Sequence, residues 1–115
     1  MGLPWVYIAG PLTKGGTLAN VHRACQVWAT LIQRGDCHPV CPHWSALQEM
    51  IDTSLSYDDW LDYDFEIIER CIDVIYRLPG ESTGADREAE CATKHGVPVV
   101  YTYYDLDKWL KGRRA

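Results

Sequence analysis

The sequence predicts a parallel α/β sandwich, a sheet covered by helices on both faces. Three observations lead there. Short runs with strand character occur at Trp5–Ala9, His38–Cys41, Asp73–Leu78 and Val97–Tyr101. Longer stretches between them carry apolar residues at helical spacing. The two types alternate along the chain, which is the pattern of a parallel sheet joined by crossover helices. At 115 residues the chain fits one domain, 1–115, with no internal repeat and no linker.

Taken in order, Trp5-Val6-Tyr7-Ile8-Ala9 is a continuous apolar run and suits a buried first strand. Gly10 to Gly16 is a glycine-rich loop, with Thr17 as a candidate helix cap. Leu18, Val21, Cys25, Trp28, Ala29 and Ile32 form a helical stripe that Gly35 ends. His38–Cys41 is a weak second strand, and Ala46–Ile51 a short helix. Ser56 has the chemistry of an N-cap, with Asp58 and Asp59 where the helix dipole favours acids. That helix runs to about Cys71 on a stripe of Leu61, Phe65, Ile68 and Ile72.

Asp73–Leu78 is the third strand, broken by the loop Pro79-Gly80-Glu81-Ser82-Thr83-Gly84. Ala85 to His95 is the next helix, with Ala85, Ala89 and Ala92 on one face and Gly96 at its end. Val97–Tyr101 is the last strand. Leu106, Trp109 and Leu110 mark a closing helix, and Lys111–Ala115 is expected to fray. The order implies a flavodoxin-like three-layer sandwich with a parallel sheet of four to five strands.

Bulk properties exclude several functions. A net charge of −5 and a pI of about 5.2 argue against a polymeric nucleic-acid partner, which needs a basic face. No apolar run is long enough to span a membrane, and no signal peptide is evident. Five cysteines, an odd number, fit free thiols in a reducing cytoplasm. Cys37, His38, Cys41 and His43 have irregular spacing and no second ligand pair, so no metal site is expected. Cys91 lacks a marked base.

Two loops sit where this architecture binds ligands, after a strand and before a helix. Gly10–Gly16 is either a phosphate cradle or an ordinary turn, and Lys14 either a ligand contact or a solvated lysine. Asp64 interrupts the apolar surface next to Trp60, Ile67 and Cys71, so it either lines a pocket or marks the stripe's edge. Glu88, one turn into its helix, is a candidate nucleophile or a surface acid favoured by the dipole. Composition and periodicity leave that choice open.

Several stretches together resemble the nucleoside 2-deoxyribosyltransferase superfamily, including its 2'-deoxynucleoside 5'-phosphate N-hydrolase branch. They are Val6-Tyr7-Ile8-Ala9-Gly10-Pro11-Leu12, Cys71-Ile72-Asp73-Val74 leading to Leu78-Pro79-Gly80, and Ser82-Thr83-Gly84-Ala85-Asp86-Arg87-Glu88 continuing to Gly96-Val97-Pro98-Val99. The resemblance implies catalytic roles for Glu88 as nucleophile, Tyr7 as the residue that orients it, and Asp64 as the acid serving the leaving base. It implies a substrate cradle of Gly10, Pro11, Lys14, Gly15, Gly16, Gly80, Ser82 and Gly84, with His43 added.

Ser82 stands where transferases often carry aspartate and the nucleotide hydrolases carry a phosphate-binding serine. Lys14-Gly15-Gly16 is similar to the hydrolases' basic-Gly-Gly loop. The implied activity is cleavage of the base–sugar bond of a nucleoside 5'-monophosphate. Base exchange and non-catalytic nucleotide binding are the alternatives. No metal or organic cofactor is implied. The implied partners are a small nucleoside or nucleotide and further copies of the chain, as a homodimer or higher homo-oligomer. Trp44, Trp60 and Trp109 exceed what a small core needs and fit such an interface.

Overall fold

A computed structural model describes residues 2–114. Along the chain come β1 (Trp5–Ala9), α1 (Thr17–Arg34), β2 (His38–Val40), a 3-10 turn (Pro42–Trp44), α2 (Ser45–Ile51), α3 (Tyr57–Cys71), β3 (Val74–Arg77), α4 (Thr83–Lys94), β4 (Val99–Val100) and α5 (Tyr103–Arg114). The sheet has order β2-β1-β3-β4, and every pairing is parallel. This is the expected flavodoxin-like three-layer arrangement, with four strands. No helix among the described residues is long and apolar enough to cross a membrane.

Strand alternation divides the core. Val6 and Ile8 of β1, with Val74 and Tyr76 of β3, face Ala24 and Leu31 of α1 and Leu106 and Leu110 of α5. Tyr7, Ala9 and Ile75 face the other way, onto Ile68 of α3 and Ala85, Cys91 and Ala92 of α4. Val6 to Ala9 are fully buried, as the unbroken apolar run requires of a central parallel strand. Each large aliphatic side chain so buried stabilises the fold by about 1.5–3 kcal/mol.

Local chemistry sets the boundaries. The Ser56 hydroxyl accepts from the Asp59 amide while the Asp59 carboxylate accepts from the Ser56 amide, a reciprocal cap that fixes the start of α3. α1 begins at Thr17 with Gly16, and not Thr17, in the cap position. α4 begins at Thr83, two residues earlier than the alanine pattern indicates, because Ser82 caps it by accepting from the Ala85 amide at 3.1 Å. β3 omits Asp73, whose carboxylate accepts from the Trp5 amide at 2.8 Å and closes the bottom of the β1–β3 pair. β4 is only Val99–Val100 because Pro98 has no amide to donate. α5 stays helical to Arg114, where fraying was expected from Lys111, and Ala115 lies outside the described residues.

The three tryptophans take separate places. Trp44 is exposed and lies against Trp28, Trp109 packs on the α1/α5 core, and Trp60 is half-buried.

Candidate active site

The strand order reverses direction between β1 and β3, and ligands of such sheets bind beyond the carboxyl ends of the strands at that switch. A cavity of about 470 Å³ opens there. The loop after β1 supplies Gly10, Leu12, Thr13 and Lys14 to its wall. The segment after β2 supplies Pro42, His43, Ser45 and Glu49, and α3 supplies Tyr57, Trp60, Leu61 and Asp64. The start of α4 supplies Ser82, Thr83, Gly84, Ala85 and Glu88.

At the floor, Glu88 is only 6% exposed. Its place on α4 explains this: Ala85, Glu88 and Ala92 recur at helical spacing on the face that meets the sheet. The Tyr7 hydroxyl, brought up by β1, donates to Glu88 Oε2 at 2.5 Å. Burial, and then the neighbouring carboxylates of Glu88 and Asp64, hold the Tyr7 phenol well above its ordinary value, so it remains a donor.

Burial likewise pushes Glu88 up to about 8, with Asp64 adding to the rise and the Tyr7 hydrogen bond and Arg77 opposing it. Asp64 is also raised by burial, against the pull of hydrogen bonding with Glu88 and Tyr7. Burial thus shifts both carboxyls of the pair toward the protonated form. A continuously ionised Glu88 is not what this environment favours.

The other candidates divide. Gly10, Lys14, His43, Ser82 and Gly84 line the cavity with Asp64 and Glu88. Tyr7 reaches it from beneath, through Glu88. Pro11, Gly15, Gly16 and Gly80 do not line it. Gly15 and Gly16, at φ 89 and 112, form the turn that leads the loop into α1, with Gly16 at its N-cap. Pro11 and Gly80 brace each other. Gly80 has φ +117, and a Cβ there would stand 2.8 Å from Pro11 Cγ, so the β1 and β3 loops meet where only glycine fits.

His43 is buried, and its Nε2–H donates to the Pro11 carbonyl at 3.0 Å. Burial lowers its pKa, and the neutral ring leaves Nδ1 as a buried acceptor without a protein partner. Ser82 keeps its hydroxyl hydrogen free to donate, since its oxygen is the accepting atom of the cap. Lys14 is held by Glu81 at 3.0 Å, in an exposed pair.

Three contributors escaped the sequence reading. Arg77, buried at the end of β3, donates to the Leu78 carbonyl, to the Gly80 carbonyl at 3.0 Å and to Asp86 at 2.9 Å. It ties the loop to the first turn of α4 beneath Glu88. An arginine at an inward position of an apolar strand was its only signal. Glu49 and Trp60 form the wall opposite α4, the indole N–H donating to the Glu49 carboxylate. Trp60, expected from the sequence at an interface, lines the cavity.

The cysteine and histidine cluster of residues 37–43 does not converge. Cys37 and Cys41 are buried thiols that burial pushes up to about 11 and about 12. His38 stacks outside on Trp5, and His43 turns into the cavity wall.

No curated protein and no solved structure matches the chain. The profile of a family described as a domain of unknown function, DUF7768, matches residues 4–102, from the start of β1 to the residue before α5. That span holds both strands of the switch point and every residue of the Tyr7, Asp64 and Glu88 group, and the chain belongs to the DUF7768 family.

Proposed function

We propose that the protein is an N-glycosidase that cleaves the base–sugar bond of a nucleoside 5'-monophosphate, with Glu88 as nucleophile. The observation that carries this is the buried group at the cavity floor: Asp64 and Glu88 line the same cavity, burial shifts both toward the protonated form, and the Tyr7 hydroxyl donates to Glu88. Such a pair supplies the two functions that glycosidic cleavage needs, an acid for the leaving group and a carboxylate for C1'.

The steps balance on one proton. Binding places it on Asp64, leaving Glu88 ionised with Tyr7 donating to it. The Glu88 carboxylate forms a bond to C1' as the C1'–N bond breaks, and the base leaves with the bonding pair and takes the Asp64 proton. Water then attacks C1', gives its proton to the Asp64 carboxylate and frees Glu88. A second base in place of water would make the same protein a deoxyribosyltransferase.

The first turn of α4 supports phosphate binding. The amides of Thr83 and Gly84 have no partner within the helix, and the Ser82 hydroxyl and Lys14 stand beside them. A specific observation favours the rival substrate, a bare nucleoside. Glu49, Asp64 and Glu88 put three carboxyl groups in the wall, against a single lysine already engaged by Glu81.

Chromatography of nucleosides and nucleotides incubated with the protein decides the matter. Base release is expected, faster from the 5'-monophosphate. Lys14→Ala should reduce nucleotide use about tenfold and leave nucleoside use unchanged, the loss of one charge-assisted contact. Equal losses on both would mean that Lys14 acts on structure. No base from any substrate would leave nucleotide binding without turnover as the function.

The same reading implies a homodimer or larger. α2 buries none of its side chains, and Leu47, Met50 and Ile51 are 64%, 83% and 75% exposed on the helix that also sends Glu49 to the cavity. Sedimentation at micromolar concentration is expected to show a dimer, and a monomer alone would count against the assembly.

A further inference from the structure

Between α3 and the end of α4, outside the cavity lining, three metal-ligating side chains converge. Cys91 lies on α4 and His95, four residues on, caps its C-terminus, while Glu69 faces them from α3. Their ligand atoms all lie within 4.8 Å of one another. We propose that Glu69, Cys91 and His95 bind one divalent transition-metal ion of zinc type, clasping α3 to α4.

The geometry of His95 carries the proposal. Its Nδ1 is 2.8 Å from the Cys91 carbonyl oxygen, which can only accept, so Nδ1 holds the ring proton. The other ring nitrogen, Nε2, faces Glu69 Oε1 3.4 Å away. The separation is long for a hydrogen bond, which prefers about 2.7–3.2 Å. It matches the edge of a tetrahedron around zinc, about 3.3–3.5 Å for bonds of about 2.0–2.1 Å. A backbone carbonyl fixing the far nitrogen is the usual support of a metal-bound histidine.

The Cys91 sulfur lies 4.0 Å from His95 Nδ1 and belongs to the same converging set. A sulfur, nitrogen and oxygen donor set suits zinc and disfavours calcium or magnesium, and the half-exposed Glu69 and His95 leave a fourth position to water. Glu69 lies five residues after Asp64 on α3, and Cys91 three after Glu88 on α4. An ion joining them would set the spacing of the helices that carry the carboxyl pair, whether or not that pair is catalytic.

The experiment uses the full chain without an affinity tag, stripped with chelator. Calorimetric titration with zinc is expected to show one ion per chain, and cobalt to give the near-ultraviolet thiolate charge-transfer band. Cys91→Ser and His95→Gln should each weaken zinc binding at least about tenfold and abolish or shift that band. Cys37→Ser, a buried thiol elsewhere, should change neither. All three variants should match the parent's melting temperature without metal, which separates lost ligation from lost folding. Absence of saturable zinc uptake would overturn the proposal, leaving Glu69 and His95 as an ion pair only. Uptake that persists unchanged in Cys91→Ser or His95→Gln would overturn it equally.

Discussion

Glu88→Ala is expected to release essentially no base while remaining folded and still binding nucleotide. The loss should be on the order of 10⁴-fold or more, because removing a covalent nucleophile removes the reaction path and not merely one contact. Folding should survive, since the substitution removes a buried carboxyl whose charged form burial disfavours. Glu90→Ala, two positions on and exposed, is the control and should retain activity. The measurement is base release under single-turnover conditions beside calorimetric binding. A Glu88→Ala protein that turns over at more than a few per cent of the parent rate would remove Glu88 from the mechanism. Equal loss in both variants would point to damage to α4.

The second large effect is on stability, and its sign follows from the raised pKa. Glu88 has an ordinary value of 4.5 and stands at about 8 in the folded chain. Its protonated form is the one the fold favours. The contribution is complete below pH 4.5 and is lost as pH rises through 8, because the unfolded chain gives up its proton first. Glu88→Gln keeps an acceptor for Tyr7 and cannot ionise. Relative to the parent it should be near neutral at pH 4.5 and stabilising at pH 9, by roughly 2–5 kcal/mol given about 1.4 kcal/mol per pKa unit. In a domain of this size that is about 10 °C or more in melting temperature. Thermal melts across this pH range check it. A constant difference between the two proteins at all pH values would show that Glu88 is not protonated in the fold.

Both expectations concern a residue whose position, but not whose burial, was legible in the sequence. The loop before α4 and Gly96 after it put Glu88 one turn into a helix at a strand's end, and that placement holds. The alanine pattern pointed to Ala85, Ala89 and Ala92 as the inner face. The buried set is Ala85, Glu88, Cys91 and Ala92, with Ala89 only half-covered. Small residues flanking one acid on an inward face were the available signal. Asp64 had two readings, and only the packing of α3 beside α4 separates them, because the cavity it lines is closed by an element that begins 19 residues on.

Capping chemistry was readable at Ser56, because it depends on the next three residues. Glu49 and Trp60 were not readable together, because their hydrogen bond depends on how the 52–56 connection folds α2 back toward α3. The Gly15–Gly16 pair shows the opposite error. Glycines in a ligand-side loop suggest contact, yet here they serve the turn itself.

The pairing of β1 with β3 has a consequence for the order in which this protein comes into being. Tyr7 and Glu88 are 81 residues apart, and Trp5 meets Asp73 across 68. The strand made first, which runs through the middle of the sheet, has to wait on the ribosome for a neighbour made several seconds later, at roughly 5–20 residues per second. Until then its apolar run has only β2 and α1 for cover. Loop closure over such a separation is slow, so the emerging chain is open to chaperones and to self-association before it is open to substrate. The carboxyl pair at the cavity floor is assembled only when that closure completes. An electrostatically unfavourable site is thereby deferred until most of the surrounding core is in place.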